Sequence, residues 1–325
     1  VSLLIAGTFD SSVATVNGKF GKTEVDKPPK PENRRMVAIY GEGLGDAVMS
    51  LPALRALSAL FTETPILIGP AEPREILGPE LPFCSFLKCG EGSEEPIARA
   101  LARCDLVMNT NPINPIGWAK RDEGIAYINY TGHFSDKLFE FPRFLDSGLM
   151  IENFSFSPKL VECGRDIARL VYRKISGNQK VLVVHPDTMA SKMWPIDRFQ
   201  RFLELFLALH PEFVVLVVGV IPNQLELGRF REQVIACQGL PLAASFSLVA
   251  SADLFVGIDS VMLHVADMCR IPSVGIFGAS SPERWGCRFT RHRHVVAANR
   301  DLTQLNEEDV LSATENLWSD TIGMT

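Results

Sequence analysis

KVLVVHP (residues 180–186) constrains the fold more than any other stretch of the chain. It is a continuous apolar run, and such runs belong to strands covered on both faces of a sheet. Comparable runs recur in EFVVLVVGV (212–220), SADLFVGID (251–259) and PSVGIFG (272–278), with helical patterns between them at 196–209, near 223–236 and at 261–270. NEEDVLSATENLWSD (306–320) reads as a closing helix. Strand–helix–strand order gives a parallel sheet with right-handed crossovers. An earlier block has the same alternation: MVAIY (36–40), PILIG (65–69), DLVMNT (105–110) and AYINY (126–130) read as strands. Between the first two, Ala47, Leu51, Leu54, Leu57 and Leu60 recur at helical spacing, and Pro52 predicts a kink or a fresh helix start near Ser50.

The expected architecture is therefore α/β, with two Rossmann-like doubly wound domains facing each other across a cleft. Residues 36–175 form the first domain and 176–325 the second. Residues 1–35, ending in the proline-bearing KTEVDKPPKPENRR, read as an N-terminal extension or linker. A length of 325 residues suits two domains.

Composition narrows the function. Lys plus Arg number 32 against 38 Asp plus Glu, a net charge of -6, which argues against nucleic-acid binding. The longest strongly apolar run, Phe213 to Ile221, falls far short of the ~20 residues a membrane-spanning helix needs. The opening VSLLIAGTFDSS lacks the basic start and the long apolar stretch of a signal peptide. An initial Val is compatible with a non-ATG start codon or with a fragment. Seven cysteines without C-x-x-C spacing read as buried, reduced thiols of a cytoplasmic protein.

Three segments carry candidate chemistry. GEGLGD (41–46) follows a strand and opens a helix, superficially like the dinucleotide fingerprint, but its sixth position is Asp46. A carboxylate there would repel a pyrophosphate, which argues against an NAD enzyme. Asp46 reads either as a helix cap or as a general base, approached by a substrate hydroxyl where Gly41, Gly43 and Gly45 clear the space. In HPDTMASKMWP (185–195), Thr188, Ser191 and Lys192 offer donors at a strand's carboxyl end, although Lys192 also reads as a surface lysine over the Trp194 ring. In FVGIDSVMLHVAD (255–267), Ser260 can cap a helix whose first N–H groups, about 260 to 263, favour an anion without a metal. Asp259 suits a sugar hydroxyl or a loop contact, and His264 reads as a buried histidine or a ligand contact. No D-x-D occurs in the chain, so the usual carboxylate pair of a metal-dependent sugar transferase is missing. Arg284, Arg288, Arg291 and Arg293, with His292 and His294, read as a solvated face or as a seat for an anionic acceptor.

Together, GEGLGDAVMSLPALRAL, HPDTMASKMWPIDRF and ADLFVGIDSVMLHVADMCRIPSVGIFGASSPERWG resemble glycosyltransferase family 9, the ADP-heptose:lipopolysaccharide heptosyltransferases and their relatives. The order and spacing match from residue 36 to about 290. The resemblance implies a GT-B fold and inverting, metal-independent transfer of a sugar from a nucleotide diphosphate, with ADP-heptose the expected donor. It implies Asp46 as the general base and Lys192 as the cation that stabilises the leaving diphosphate. Thr188, Ser191, Asp259, Ser260, Val261, His264 and Glu226 are implied on the donor side, and Gly43, Gly45 and His133 on the acceptor side. The implied acceptor is a carbohydrate, glycolipid or protein, and Arg284–Arg293 would make a peripheral contact with the inner membrane face.

Three positions depart from the family pattern. Val261 and Asp187 stand where glycines are usual, and VIPNQLE (220–226) replaces a glycine–proline–acidic pattern. Asp187 reads as an extra negative charge near an anion site, and the Cβ of Val261 narrows the phosphate approach. A non-catalytic nucleotide-sugar-binding relative and a GT-B-like sugar-nucleotide epimerase are the alternatives.

Overall fold

The computed structural model describes residues 4–6, 22–24, 37–40, 43–69, 85–88, 94–101, 103–104, 106–109, 125–127, 132–187, 192–220, 225 and 228–323. They form two compact units, one ending at Ser155 and one running from Phe156 to Thr325.

The first unit is built on a seven-stranded sheet in the order β2-β1-β7-β6-β3-β4-β5. Its strands are β1 (Leu4–Ala6), β2 (Lys22–Glu24), β3 (Val37–Tyr40), β4 (Ile66–Gly69), β5 (Ser85–Lys88), β6 (Leu106–Asn109) and β7 (Ile125–Tyr127). β3 to β7 are mutually parallel, whereas β1 runs antiparallel to β7 and to β2. The N-terminal extension is thus more than a linker, because β1 and β2 lengthen the sheet edge through backbone pairing. The helices are α1 (Leu44–Leu60), α2 (Glu94–Leu101) and α3 (Phe134–Leu145).

α1 runs through Pro52 as one helix, so no fresh start occurs near Ser50. Proline in a helix interior removes one ladder bond and costs ~3 kcal/mol. Here every residue from Ala47 to Leu57 is buried, so packing on all sides of the helix offsets that loss. Arg55, on the same helix, donates from Nη1 to the Phe154 carbonyl at 2.6 Å.

The second unit begins with α4 (Glu162–Tyr172), followed by β8 (Lys180–His185), α5 (Ile196–Leu209), β9 (Phe213–Val217), β10 (Val234–Ala236), α6 (Leu242–Val249), β11 (Leu254–Ile258), α7 (Val261–Met268), β12 (Ser273–Phe277), α8 (Pro282–Trp285), β13 (His292–Val296) and α9 (Glu307–Ile322). Its sheet has the order β10-β9-β8-β11-β12-β13, parallel throughout. The helix expected near 223–236 is replaced by a 3-10 helix at Gly228–Gln233 and by β10, which pairs with β9. The units divide at 155/156 rather than after 175 because α4 packs on α6. A Cβ on Gly164 would stand 2.4 Å from the Ala243 carbonyl oxygen, so glycine is what permits this approach. The Tyr172 hydroxyl adds a hydrogen bond to the Leu248 carbonyl at 3.0 Å.

Both sheets have a point where the strand order reverses. In the first unit β3 leads outward to β4 and β5, and the chain then returns to β6 on the other side of β3. In the second, β8 leads to β9 and β10, and the chain returns to β11 on the other side of β8. Ligands of doubly wound folds sit beyond the carboxyl ends of the strands at such reversals. In this chain those reversals fall at the carboxyl ends of β3, β8 and β11. Asp46 lies in the first turn of the helix that follows β3, and Lys192 and Asp259 lie in the loops after β8 and β11.

Candidate functional site

In the first unit, Gly43 is the N-cap residue of α1 and Asp46 occupies the third helical position. The Asp46 carboxylate accepts a hydrogen bond from the Gly43 N–H at 3.1 Å, which is half of a capping box. Capping and chemistry are compatible at this residue, since a carboxylate has about four acceptor directions. A Cβ on Gly43 would meet nothing within 4 Å, so the residue borders open space. Gly45 lies in the first turn and is half-buried. His133 caps α3, its Nδ1 accepting from the Ser135 N–H at 3.3 Å.

In the second unit the chain around Lys192 is anchored by Trp194. The indole is 1% exposed, packs against Phe199 and Phe202, and donates from Nε1 to the Leu305 carbonyl at 3.0 Å. Trp194 therefore belongs to the core and is not a surface ring beneath a lysine. Pro195 then starts α5. With the backbone fixed there, Lys192 reaches across to Asp259 at the end of β11, Nζ to Oδ2 at 2.7 Å. Asp259 is buried and the Lys192 side chain is about a third exposed, so the lysine is the partner that meets solvent. One of its three N–H donors serves Asp259, the one hydrogen bond of this ammonium seen among the described residues. His264, one turn into α7 and buried, brings Nε2 to 4.0 Å from the other Asp259 oxygen.

Ser260 is the N-cap residue of α7 but makes no side-chain cap. Its hydroxyl is drawn to His185 at the end of β8, Oγ to Nδ1 at 2.9 Å. The Ser260 carbonyl accepts from the Leu263 N–H at 3.1 Å. Val261 occupies the first helical position and is half-buried. The expected cap is thus corrected, since the serine is turned away from the helix start by a histidine that sequence reasoning did not single out. The clue was available in retrospect, because His185 ends the buried strand that adjoins β11.

Asp187, the expected stray charge, is 4% exposed and has partners. Its Oδ1 lies 3.0 Å from His185 Nε2, and its Oδ2 accepts from the Val220 N–H at 2.7 Å. Thr188, Ser191 and Glu226 lie outside the described residues. The basic stretch does not form one solvated face. Arg284 and Arg288 are half-buried over the rings of Trp285 and Phe289, Arg293 pairs with Asp320 at 2.6 Å, and residues 292–296 form β13. Among the described residues, no group of three or more His, Cys, Asp or Glu side chains could hold a metal ion. None of the described helices is long and apolar enough to cross a membrane. A separate cavity of about 580 Å³ is lined by Lys159, Arg165, Tyr172, Ser247 and Cys269 among others, near the amino ends of β11 and β12 rather than at the site.

Solved structures share this architecture. The glycosyl transferase family 9 structure from Veillonella parvula DSM 2008 superposes with a TM-score of 0.70 at 16% identity, covering 88% of this chain and 97% of that one. The E. coli heptosyltransferase WaaC with ADP gives 0.64 at 16% identity, covering 87% of this chain and 99% of that one. The fold is of the GT-B class. Sequence carries the assignment further, since the profile of glycosyltransferase family 9 (heptosyltransferase) matches residues 150–314, and the chain belongs to that family. The lipopolysaccharide heptosyltransferase 1 of Campylobacter coli is 23% identical over 220 residues, 60% of this chain and 61% of that protein. The aligned part thus spans less than two thirds of that relative.

Proposed function

We propose that this chain is an inverting glycosyltransferase that moves heptose from ADP-heptose to an acceptor hydroxyl without a metal. Asp46 takes the proton from the acceptor. Lys192 and the first N–H groups of α7 stabilise the negative charge that grows on the departing diphosphate. Asp259 holds Lys192 in place and, with Ser260, Val261 and His264, surrounds the donor, as do Thr188, Ser191 and Glu226. Gly43, Gly45 and His133 belong to the acceptor side. The acceptor is a carbohydrate, a glycolipid or a protein. A cytoplasmic setting, with contact between Arg284–Arg293 and an anionic membrane face, is part of the same reading. Arg293 enters such a contact with its charge already shared with Asp320.

The observation that carries this reading is the Lys192–Asp259 pair, which presents a partly exposed lysine beside a helix N-terminus at the reversal point of a parallel sheet. It is tested by calorimetry with ADP and by transfer assays with ADP-heptose. Lys192→Ala is expected to weaken ADP binding about 10- to 100-fold, the worth of one charge-assisted contact. Asp46→Asn keeps an oxygen for the Gly43 N–H, so it is expected to leave ADP binding unchanged and to lower turnover about 10²- to 10⁴-fold. Unchanged ADP affinity in the lysine variant, or unchanged turnover in the asparagine variant, removes that residue from the mechanism. Binding without transfer to any acceptor would mark a non-catalytic relative.

A further inference from the structure

Asp187 lies buried between the ends of β8 and β9. Its carboxylate reaches two neighbouring loops at once. Oδ2 accepts from the Val220 N–H at 2.7 Å and so holds the turn that leaves β9. Oδ1 lies 3.0 Å from His185 Nε2, at the end of β8. The chain at Gly219 passes so close to the carboxylate that a Cβ there would stand 2.1 Å from Oδ1. From His185 the connection continues through Nδ1 to Ser260 Oγ at 2.9 Å, at the first turn of α7. The strand ends involved are those of β9, β8 and β11, which are adjacent in the sheet.

Chemistry gives this chain of contacts a direction. The contact between Asp187 Oδ1 and His185 Nε2 is a close electrostatic approach and not an aligned hydrogen bond. A carboxylate oxygen so near the ring nitrogen favours the imidazole form with its hydrogen on Nε2 over a bare lone pair, a form assigned from the surroundings. In the neutral ring this leaves Nδ1 as the acceptor for the Ser260 hydroxyl. That hydroxyl is then committed to His185, in keeping with the absence of a side-chain cap on α7. An asparagine at 187 fits the same space but cannot do the same work. With its oxygen on the Val220 N–H, its amide nitrogen faces His185 and the ring hydrogen moves to Nδ1. The bond to Ser260 then reverses.

We propose that Asp187 is a positioning residue for the nucleotide diphosphate, fixing the turn after β9 directly and Ser260 at the start of α7 through His185. The inference rests on the donor reading above. It also inverts the meaning of a negative charge at 187. If the carboxylate acted on the donor merely as a like charge, its removal would tighten ADP binding. As a positioning residue, its removal loosens the loops that receive the diphosphate and weakens binding.

The test compares the wild-type protein with Asp187→Asn by ADP calorimetry, thermal melting and ¹⁵N NMR of the histidine rings. The expected result is an ADP affinity at least about tenfold weaker in a protein that still melts cooperatively, with the His185 ring hydrogen moved from Nε2 to Nδ1. Equal or tighter ADP binding by the variant overturns the role. Should Asp187→Asn fail to fold, the wild-type protein supplies the second measurement. Saturating ADP is expected to shift the His185 ring signals, and unshifted signals overturn the role. Absence of ADP binding by the wild-type protein overturns the donor reading and this role with it, whereas wild-type binding that the variant retains overturns this role alone.

Discussion

Gly219 has a φ of +148°, in the range that favours glycine, and its missing side chain leaves room for the Asp187 carboxylate. Both constraints act at one position, so Gly219→Ala is expected to cost at least about 2 kcal/mol in urea unfolding, from backbone strain plus displacement of the carboxylate. The pairing of these residues was not visible in the amino-acid sequence. Asp187 and Val220 are 33 positions apart, and only the parallel alignment of β8 with β9 brings them together. Read alone, Asp187 is a carboxylate near an anion site, and nothing in the residue itself announces a buried partner. Lys192 and Asp259 were legible as separate candidates because each follows a strongly apolar strand. Their contact is a product of the fold.

At the scale of elements, the clearest dependence is that of the Lys192 loop on the core. An aromatic series from Trp194 through Phe199, Phe202, Phe206 and Phe213 to Trp318 joins the start of α5 to β9 and α9. Trp194→Phe keeps most of the apolar volume but deprives the Leu305 carbonyl of its donor, and is expected to cost about 1–3 kcal/mol in chemical denaturation. Trp194→Ala also opens a cavity and is expected to cost about 3–5 kcal/mol. α5 was legible to the residue, since its buried Phe199, Phe202, Leu203, Phe206 and Leu207 follow helical spacing. α6 was not, because its residues are buried on all sides and show no polar face to set a period. β10 reads as helix in the sequence because a three-residue strand carries too little pattern to outweigh its surroundings. β13 was read as a basic surface run because its pairing to β12 leaves no mark on so charged a segment.

The whole second unit has a pH response that follows from its thiols. Burial pushes Cys269 up to about 12 and Cys237 up to about 11, raises Cys287 well above the usual thiol range, and pushes the Tyr172 phenol up as well. In the unfolded chain a thiol titrates near 8.5 and a tyrosine near 10. Below about pH 8.5 both states hold these protons, and the groups add no pH dependence. Above it the unfolded chain releases protons that the folded chain keeps, so stability falls, by up to about 1.4 kcal/mol per pH unit for each such group. The fall continues until the folded groups ionise, near 11 for Cys237 and near 12 for Cys269. The melting temperature is thus expected to decline above about pH 8.5, and less steeply in Cys237→Ala. The expectation of uniformly buried cysteines holds for Cys104, Cys237 and Cys287, whereas Cys163 is exposed on α4 and Cys269 is half-buried. At this scale the two alternating blocks of strands and helices were legible as a pattern, but the division at 155/156 was not, because it depends on which neighbour α4 packs against.

β13 closes one side of the second sheet with the sequence HRHVV, and the side chains of His292 and Arg293 stand exposed along it. An unpaired outer strand is a template onto which a foreign strand can zip, and charge is a common means of blocking that growth. At this rim the exposed Arg293 guanidinium, tethered to Asp320, is a charged group that a second strand laid alongside β13 would have to accommodate.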